Sequence, residues 1–252
     1  MGVEPAYETI GATYGATRNE DPRIARRIRK ALGDAESVVN IGAGTDAYEP
    51  ADLDVIAVEP SPTMIAQRPS ESAPVRQGVA EALPLRDGEV DAALATLTTH
   101  HWRDLPRALR EIRRVARRRA VIFTCDPAFH DFWLFRDYFP SFLTQARTRL
   151  PSLRAYEQLG PLKVIAVPVP RDCRDGFAAA YWARPAAYLN AVCRANISGF
   201  RFIPRAELRA GLRRLEADLD GGAWHMKHAL AGRDSLDCGY RLVVAELPGL
   251  PG

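Results

Sequence analysis

The sequence predicts an α/β fold built on a doubly wound, largely parallel sheet. Apolar runs typical of buried strands alternate with segments of helical periodicity, and a glycine turn, Gly42-Ala43-Gly44, directly follows the first run. The next run ends on an acid, Glu59. This order is typical of a nucleoside site at the carboxyl edge of a parallel sheet, where glycines admit backbone N–H groups and the acid binds ribose hydroxyls.

The predicted elements begin with two helices ahead of the sheet. The first is expected over 6–17, and the second begins at Asp21-Pro22, an N-cap followed by proline, and ends at Gly33. The predicted strands and helices then alternate as follows: strands at 37–41 and 54–58, a helix at 61–67, strands near 75 and at 90–97, a helix at 105–115, and strands at 120–124, 163–168 and 240–246.

Composition excludes several classes of protein. With 252 residues and 47% hydrophobic side chains, the chain suits one large domain or a domain with an insertion. The four cysteines form no CxxC pair, and no apolar run reaches membrane-spanning length, so a cytoplasmic protein without disulfides is expected. The net charge of +3 is too small to indicate nucleic acid. His225 and His228 alone do not make a metal site, so no metal is predicted.

The glycine turn leaves the cofactor open. Residues 42–47 match GxGxx[G/A], the dinucleotide fingerprint, but a pyrophosphate needs a helix N-terminus directly after the glycines. Tyr48-Glu49-Pro50 interrupts such a helix, because proline cannot donate to the helical ladder. The turn by itself decides nothing between a nicotinamide dinucleotide and another nucleoside cofactor.

Further segments follow the turn in a characteristic order. The segments are 40–44, 58–64, 78–85, 90–94 with His100-His101-Trp102, and 109–115. Together they resemble class I S-adenosylmethionine-dependent methyltransferases of the broad small-molecule group. The resemblance implies a Rossmann-like seven-stranded sheet of order 3-2-1-4-5-7-6 with the seventh strand antiparallel, and S-adenosylmethionine as cofactor.

The resemblance also implies which residues bind the cofactor. They are Tyr14, Arg18, Asn40, Gly42, Ala43, Gly44, Glu59, Pro60, Met64, Ala80, Glu81, Thr96 and Trp102. The single domain, 1–252, would comprise N-terminal helices (1–34), a cofactor core (35–126) and cap segments on the acceptor side (127–160 and 170–237). Aromatic residues in the cap would either line the acceptor pocket or form its core.

Two residues depart from the family pattern. The family usually has an acid where Asn40 stands and often a glycine where Asp46 stands. Asn40 can still hydrogen-bond, whereas Asp46 would either repel the carboxylate of the cofactor or pair with its ammonium group. These departures motivate a second hypothesis, a protein that uses this cofactor for another reaction such as cyclisation; a nicotinamide-dependent oxidoreductase is the third.

The expected reaction is in-line displacement of the sulfonium methyl group by a small organic acceptor. Alignment of the two reactants would supply most of the catalysis. Where the acceptor must lose a proton, His100, His101 and Asp126 are the candidate bases. The expected partner is the small acceptor, with no nucleic acid and no membrane, and the protein would be a monomer or homodimer.

Overall fold

The structure, a computed structural model, describes residues 19–248, so the predicted helix at 6–17, with Tyr14 and Arg18, lies outside the described residues. The helices are α1 (Pro22–Leu32), α2 (Pro62–Ile65), α3 (Leu105–Val115), α4 (Ser141–Arg149), α5 (Ala191–Ala195), α6 (Arg205–Asp220) and α7 (Ala223–His228). The strands are β1 (Ser37–Ile41), β2 (Asp54–Glu59), β3 (Val75–Gln77), β4 (Val90–Thr96), β5 (Ala116–Cys125), β6 (Leu162–Ala166), β7 (Val169–Pro170), β8 (Ser235–Leu236) and β9 (Tyr240–Glu246).

A seven-stranded sheet of order β3-β2-β1-β4-β5-β9-β6 forms the centre of the fold. The first five strands in this order run parallel, and β9 runs antiparallel to both β5 and β6. The predicted order is confirmed, since β9 is the seventh strand along the chain in this sheet. The separate two-stranded sheet of β7 and β8 was not predicted.

Two apolar layers cover the sheet, which explains why β1 and β4 are buried along nearly their whole length. Val38 and Leu94 face the layer that contains α1 and the cap, whereas Val39 and Ala93 face the layer that contains α3. Strands covered on both faces have continuous rather than alternating apolar sequence. The carboxyl ends of β1, β2 and β4 are thereby brought to one edge of the sheet.

Helix α1 forms where its start and stop signals predict it. The Asp21 carboxylate accepts a hydrogen bond from the Arg23 N–H (3.0 Å), and Gly33, with a φ of 64°, ends the helix. Its buried stripe, Ile24 and Ile28 with the last residue of the helix, packs on the sheet.

Several predicted boundaries were wrong, among them the end of β6, which lies at Ala166 instead of residue 168. The helix expected over 61–67 is the single turn α2, and β5 begins at Ala116 instead of residue 120. Neither glycine nor proline separates α3 from β5, so nothing in the sequence marks the passage from helix to strand. Arg117 and Arg118 lie on the added part of β5; Arg117 pairs with Asp91 at 2.9 Å, and Arg118 pairs with Asp34.

The aromatic residues of the cap form its core. Trp133 contacts Trp224 and Tyr188, with ring centroids 5.2 and 5.8 Å apart, and all three side chains are buried. Trp182 is also buried, and its indole N–H donates to the Val169 carbonyl (2.9 Å). These aromatic residues were expected either to line the acceptor pocket or to form a core. Their burial is explained by the second alternative, a packed core.

Within residues 19–248, no helix is long and apolar enough to cross a membrane.

Candidate functional site

The glycine turn is held against β2 and β4. The N–H groups of Gly42 and Ala43 both donate to the Val58 carbonyl, at 2.8 and 3.1 Å. Gly42 has a φ of 70°, and a Cβ added to it would lie 2.1 Å from Thr98 Oγ1. Only glycine fits this position, because both the backbone conformation and the close approach of Thr98 exclude a side chain.

Glu59 connects the glycine turn to the end of β2. Its Oε2 accepts from the Gly44 N–H (2.9 Å), its Oε1 accepts from the Ser61 N–H (3.0 Å), and the residue is only 5% exposed. Burial raises the pKa of Glu59, while the N–H groups of Ser61 and Gly44 and the charge of Arg68 oppose the rise. A carboxylate offers about four acceptor positions, so two are left for the hydroxyls of a ribose.

The segment that follows the glycine turn, residues 45–53, contains no helix. Tyr48, with a φ of 66°, instead places its ring in the core, where it is 2% exposed. Its hydroxyl donates to Asp175 Oδ2 (2.9 Å) and accepts from the Asp21 N–H (3.4 Å). A pyrophosphate therefore finds no helix N-terminus here, which argues against a dinucleotide.

Tyr48→Phe is expected to destabilise the fold by about 1–3 kcal/mol, because the buried Asp175 loses a donor. The matched control is Tyr188→Phe, which removes a buried hydroxyl whose bond goes to a neutral acceptor, the Ala178 carbonyl (2.8 Å). Urea unfolding of both variants measures the difference. A loss for Tyr48→Phe no larger than that of the control contradicts the expectation.

Two buried polar atoms at the carboxyl edge lack hydrogen-bond partners among the described residues. They are Thr96 Oγ1, at the end of β4, and Asn40 Oδ1, near the end of β1. Buried polar groups are normally satisfied, so unsatisfied atoms need an explanation such as a missing ligand. Together with the free acceptor positions of Glu59, these atoms fit a polar nucleoside cofactor. The N–H groups of Gly42, Ala43 and Gly44 are already bonded within the protein.

Met64 and Pro60 differ in their exposure. Met64 is buried, and its Cε would lie 3.5 Å from a Cβ added to Gly44, so it packs beneath the turn. Ser61 caps α2 by accepting from the Met64 N–H (3.3 Å). Pro60 is exposed at the edge of the site. Their cofactor contacts stay predictions.

The predicted adenine segment lies beside the start of α3. Ala80 is buried, inside a short bridge between Val79 and Ala82. The Glu81 carboxylate accepts from the N–H groups of Arg103 and Asp104, at 2.5 and 3.1 Å. The Glu81 side chain therefore fastens the residues ahead of α3, and its predicted contact with the adenine ring stays a prediction.

The segment after β4 forms a 3-10 turn, Thr99–His101, with the two histidine rings 3.9 Å apart. Thr99 is buried, and its hydroxyl lies 2.8 Å from the Tyr156 hydroxyl. Trp102 packs against the apolar layer that contains α3. Its predicted contact with the cofactor stays a prediction. The turn thus sets the two histidines at the carboxyl edge.

His101 is an exposed residue by its surface area, yet neighbouring protein atoms still desolvate its ring. This desolvation, with a smaller contribution from the Arg149 charge, lowers the pKa of His101 from 6.5 to about 4. A base with so low a pKa accepts a proton weakly at neutral pH. The roles of the other two candidate bases, His100 and Asp126, stay predictions; Asp126 Oδ1 already accepts from the Ala128 N–H (2.9 Å).

NMR titration is expected to show the His101 imidazole neutral down to a midpoint near pH 4. The unfolded chain binds this proton already near pH 6.5, so the effect on stability is a loss that grows as the pH falls from 6.5 to about 4. The His101→Gln variant lacks the imidazole resonance of His101, which identifies that resonance in the wild-type spectrum. The same variant should not show the loss of stability between pH 6.5 and about 4. A midpoint near 6.5 for His101 contradicts the expectation.

Comparison with known proteins decides the family. A family model described as a methyltransferase domain matches residues 39–124. A similar crystal structure comes from Anabaena variabilis, and its protein is provisionally assigned as a methyltransferase from an antibiotic biosynthesis pathway. The two sequences are 34% identical. The match covers 92% of this chain and 99% of the other, with a TM-score of 0.82. The chain belongs to the methyltransferase family. S-adenosylmethionine is the cofactor that this membership implies, and the predicted family is confirmed.

Other methyltransferases are similar over less of the chain or at lower identity. A Mycobacterium tuberculosis protein named only as an uncharacterized methyltransferase is 40% identical over 91 residues, which are 33% of this chain and 36% of its own. The chain thus matches about a third of the length of this curated relative. Geranyl diphosphate C-methyltransferase from Streptomyces coelicolor, solved with S-adenosyl-L-homocysteine, shares the fold at 16% identity. The match covers 90% of this chain and 76% of the other, with a TM-score of 0.51.

Sequence reasoning missed several side chains that pack around the candidate site. Tyr48 and Glu49 were noted only for interrupting a helix, and Arg68 and Asp175 were given no part. Arg68 and Glu49 form an ion pair across 19 residues, and Tyr48 and Asp175 lie 127 residues apart. No local pattern marks such contacts, because they arise only when the sheet is assembled.

Proposed function

We propose that the protein transfers a methyl group from S-adenosylmethionine to a small organic acceptor. The observation that carries the proposal is the junction of Glu59 with the N–H group of Gly44 at the carboxyl edge of the sheet. It sets a buried carboxylate and a glycine turn side by side, which is the arrangement needed for the ribose and the amino-acid end of this cofactor.

The chain's own residues would hold and orient the cofactor. Glu59 would accept the ribose hydroxyls, the backbone of Ala80 would lie beside the adenine, and Thr96 Oγ1 would hydrogen-bond the amino-acid portion. When bound, the cofactor supplies an electrophilic methyl group on a good leaving group. The protein's contribution is then to align the acceptor and exclude water, and His100 or Asp126 would take a proton where the acceptor carries one.

A small acceptor is favoured by the surface of the described residues. Four arginines at the end of α3 and on β5 pair with acids; for example, Arg114 pairs with Glu111 (2.7 Å) and Arg119 with Glu246 (2.7 Å). A neutralised basic run offers little to a nucleic-acid backbone. The aromatic side chains of the cap are mostly buried, so they do not form a platform for bases.

The test is calorimetry with S-adenosylmethionine and its demethylated product, followed by assay for that product with a panel of small hydroxyl, amine and carboxylic-acid acceptors. We expect both cofactor forms to bind and at least one small acceptor to be methylated. If neither form binds, the proposed cofactor is wrong. If only nucleic acid or protein is methylated in parallel assays, the proposed class of acceptor is wrong.

A second candidate function rests on Asp46. Its φ of 108° is strained for a non-glycine residue, and its Oδ2 accepts from the Ser72 hydroxyl (2.8 Å). Strain beside the glycine turn favours the hypothesis of a reaction other than methyl transfer, such as cyclisation of the cofactor. Mass spectrometry of cofactor incubated with protein alone distinguishes the two, because only the second candidate forms a new product without an acceptor.

A further inference from the structure

A buried ion pair lies directly beneath the glycine turn. Arg68 Nη2 contacts both carboxylate oxygens of Glu49, at 2.7 and 2.9 Å, and the two side chains are only 4% and 9% exposed. Asn40 Nδ2 donates to Glu49 Oε1 (3.1 Å). The three side chains form one polar cluster, called here the Glu49–Arg68 cluster.

Arg68 also fastens the backbone around the turn. Its Nη1 donates to the Gly44 carbonyl and its Nη2 to the Ala73 carbonyl, each at 3.2 Å. Because the Gly44 N–H donates to Glu59, Gly44 is held through both of its polar backbone groups. The charge of Arg68 also opposes the rise that burial causes in the pKa of Glu59.

Stability alone is a poor explanation of this cluster. Buried ion pairs often contribute little net stability, because desolvation offsets their attraction unless every polar atom is satisfied. Here Arg68 Nε and Asn40 Oδ1 are buried without hydrogen-bond partners among the described residues. An incompletely satisfied pair at this place is better explained by what it holds, which is the Gly44 peptide and, through it, Glu59.

We propose that Glu49 and Arg68 are positioning residues for the cofactor. Glu49 supplies, 3.1 Å away, the carboxylate that Asn40 lacks, and Arg68 uses that charge to hold the Gly44 peptide in the conformation that leaves Glu59 open to the ribose. The inference rests on the proposed function, since it concerns the same cofactor. It assigns the two residues no contact with the cofactor and no part in proton transfer.

The experiment moves the negative charge across the cluster. Four proteins are compared with wild type: Glu49→Gln, Arg68→Gln, Asn40→Asp, and the exchange variant that combines Asn40→Asp with Glu49→Gln. The matched control is Glu89→Gln, which breaks a surface ion pair with Arg76 (2.8 Å) near β3. Dissociation constants for S-adenosyl-L-homocysteine by calorimetry and thermal midpoints are measured for each.

We expect the first two single variants to weaken binding by about tenfold or more, because the turn is no longer preorganised. Asn40→Asp places two carboxylates side by side and should also weaken binding. The exchange variant keeps one charge and one hydrogen bond, so its affinity should return to within about threefold of wild type. Glu89→Gln should leave affinity unchanged.

Lowered thermal midpoints with unchanged affinity would show a merely structural role and overturn the inference. An exchange variant that binds no better than Glu49→Gln also contradicts it. If Arg68→Gln fails to fold, Arg68→Lys, which keeps the charge but loses the fork, replaces it and should still bind more weakly than wild type. Failure of wild type itself to bind contradicts the proposed function instead, so the two failures are distinguishable.

Discussion

Glu59→Gln is expected to weaken binding of S-adenosyl-L-homocysteine by about 100-fold or more. Glu59 accepts the N–H groups of Gly44 and Ser61 and would still accept the two ribose hydroxyls. The amide retains a single acceptor oxygen and turns an NH2 group toward one backbone donor. Loss of two hydrogen bonds to a charged acceptor, at about 1.5–3 kcal/mol each, gives an effect of this size.

The control for this prediction is Glu216→Gln, an exposed glutamate on α6 remote from the glycine turn. Calorimetry gives the two dissociation constants, and thermal unfolding shows whether the Glu59 variant is folded. Glu59→Asp keeps the charge but shortens the side chain, so it separates reach from charge and should bind between wild type and the glutamine variant. Equal affinity of Glu59→Gln and wild type would remove Glu59 from the cofactor site.

Gly42→Ala is expected to produce the second large effect, a loss of both stability and cofactor binding. The new methyl group would lie 2.1 Å from Thr98 Oγ1 and 2.9 Å from Thr98 Cβ, and the backbone keeps a φ of 70°. Left-handed backbone costs a non-glycine residue about 1–2 kcal/mol, and overpacking adds about 1–3 kcal/mol. The turn must shift to relieve the contact, and Glu59 shifts with its partners.

Gly222→Ala separates the two contributions. Gly222, between α6 and α7, has a φ of 73°, but no atom lies within 4 Å of an added Cβ. The Gly222→Ala variant should therefore lose stability from backbone strain alone and should bind the cofactor as wild type does. Urea unfolding and calorimetry compare the variants. A Gly42→Ala protein that resembles Gly222→Ala in both measurements contradicts the importance of the Thr98 contact.

Sequence sufficed where signals are local. Helix α1 lies between its caps, Asp21 and Gly33, as expected. The apolar runs predicted the ends of β1, β2 and β9 to within one residue. Such elements are determined by caps, turns and periodicity, which neighbouring residues carry. The order of the strands needed the family resemblance, because periodicity does not specify which strands pair.

The site was only partly predictable for the same reason. Glu59 ends β2 and lies two residues before Ser61, the N-cap of α2, so its place at the carboxyl edge could be inferred. The sequence could not decide the role of the Glu81 side chain. Its carboxylate accepts from the N–H groups of Arg103 and Asp104, which lie more than 20 residues further along the chain. The cofactor contacts of Tyr14 and Arg18 stay predictions, because both lie outside the described residues.

The contact of Tyr48 with Asp175 has a consequence for redesign of this enzyme. Tyr48 belongs to the loop after the glycine turn, whereas Asp175 belongs to the cap segment, and their side chains meet inside the apolar layer. The cap is therefore not an interchangeable module. A chimera that takes its cap from another methyltransferase has to carry a hydrogen-bond acceptor at the position of Asp175 or replace Tyr48 along with the cap.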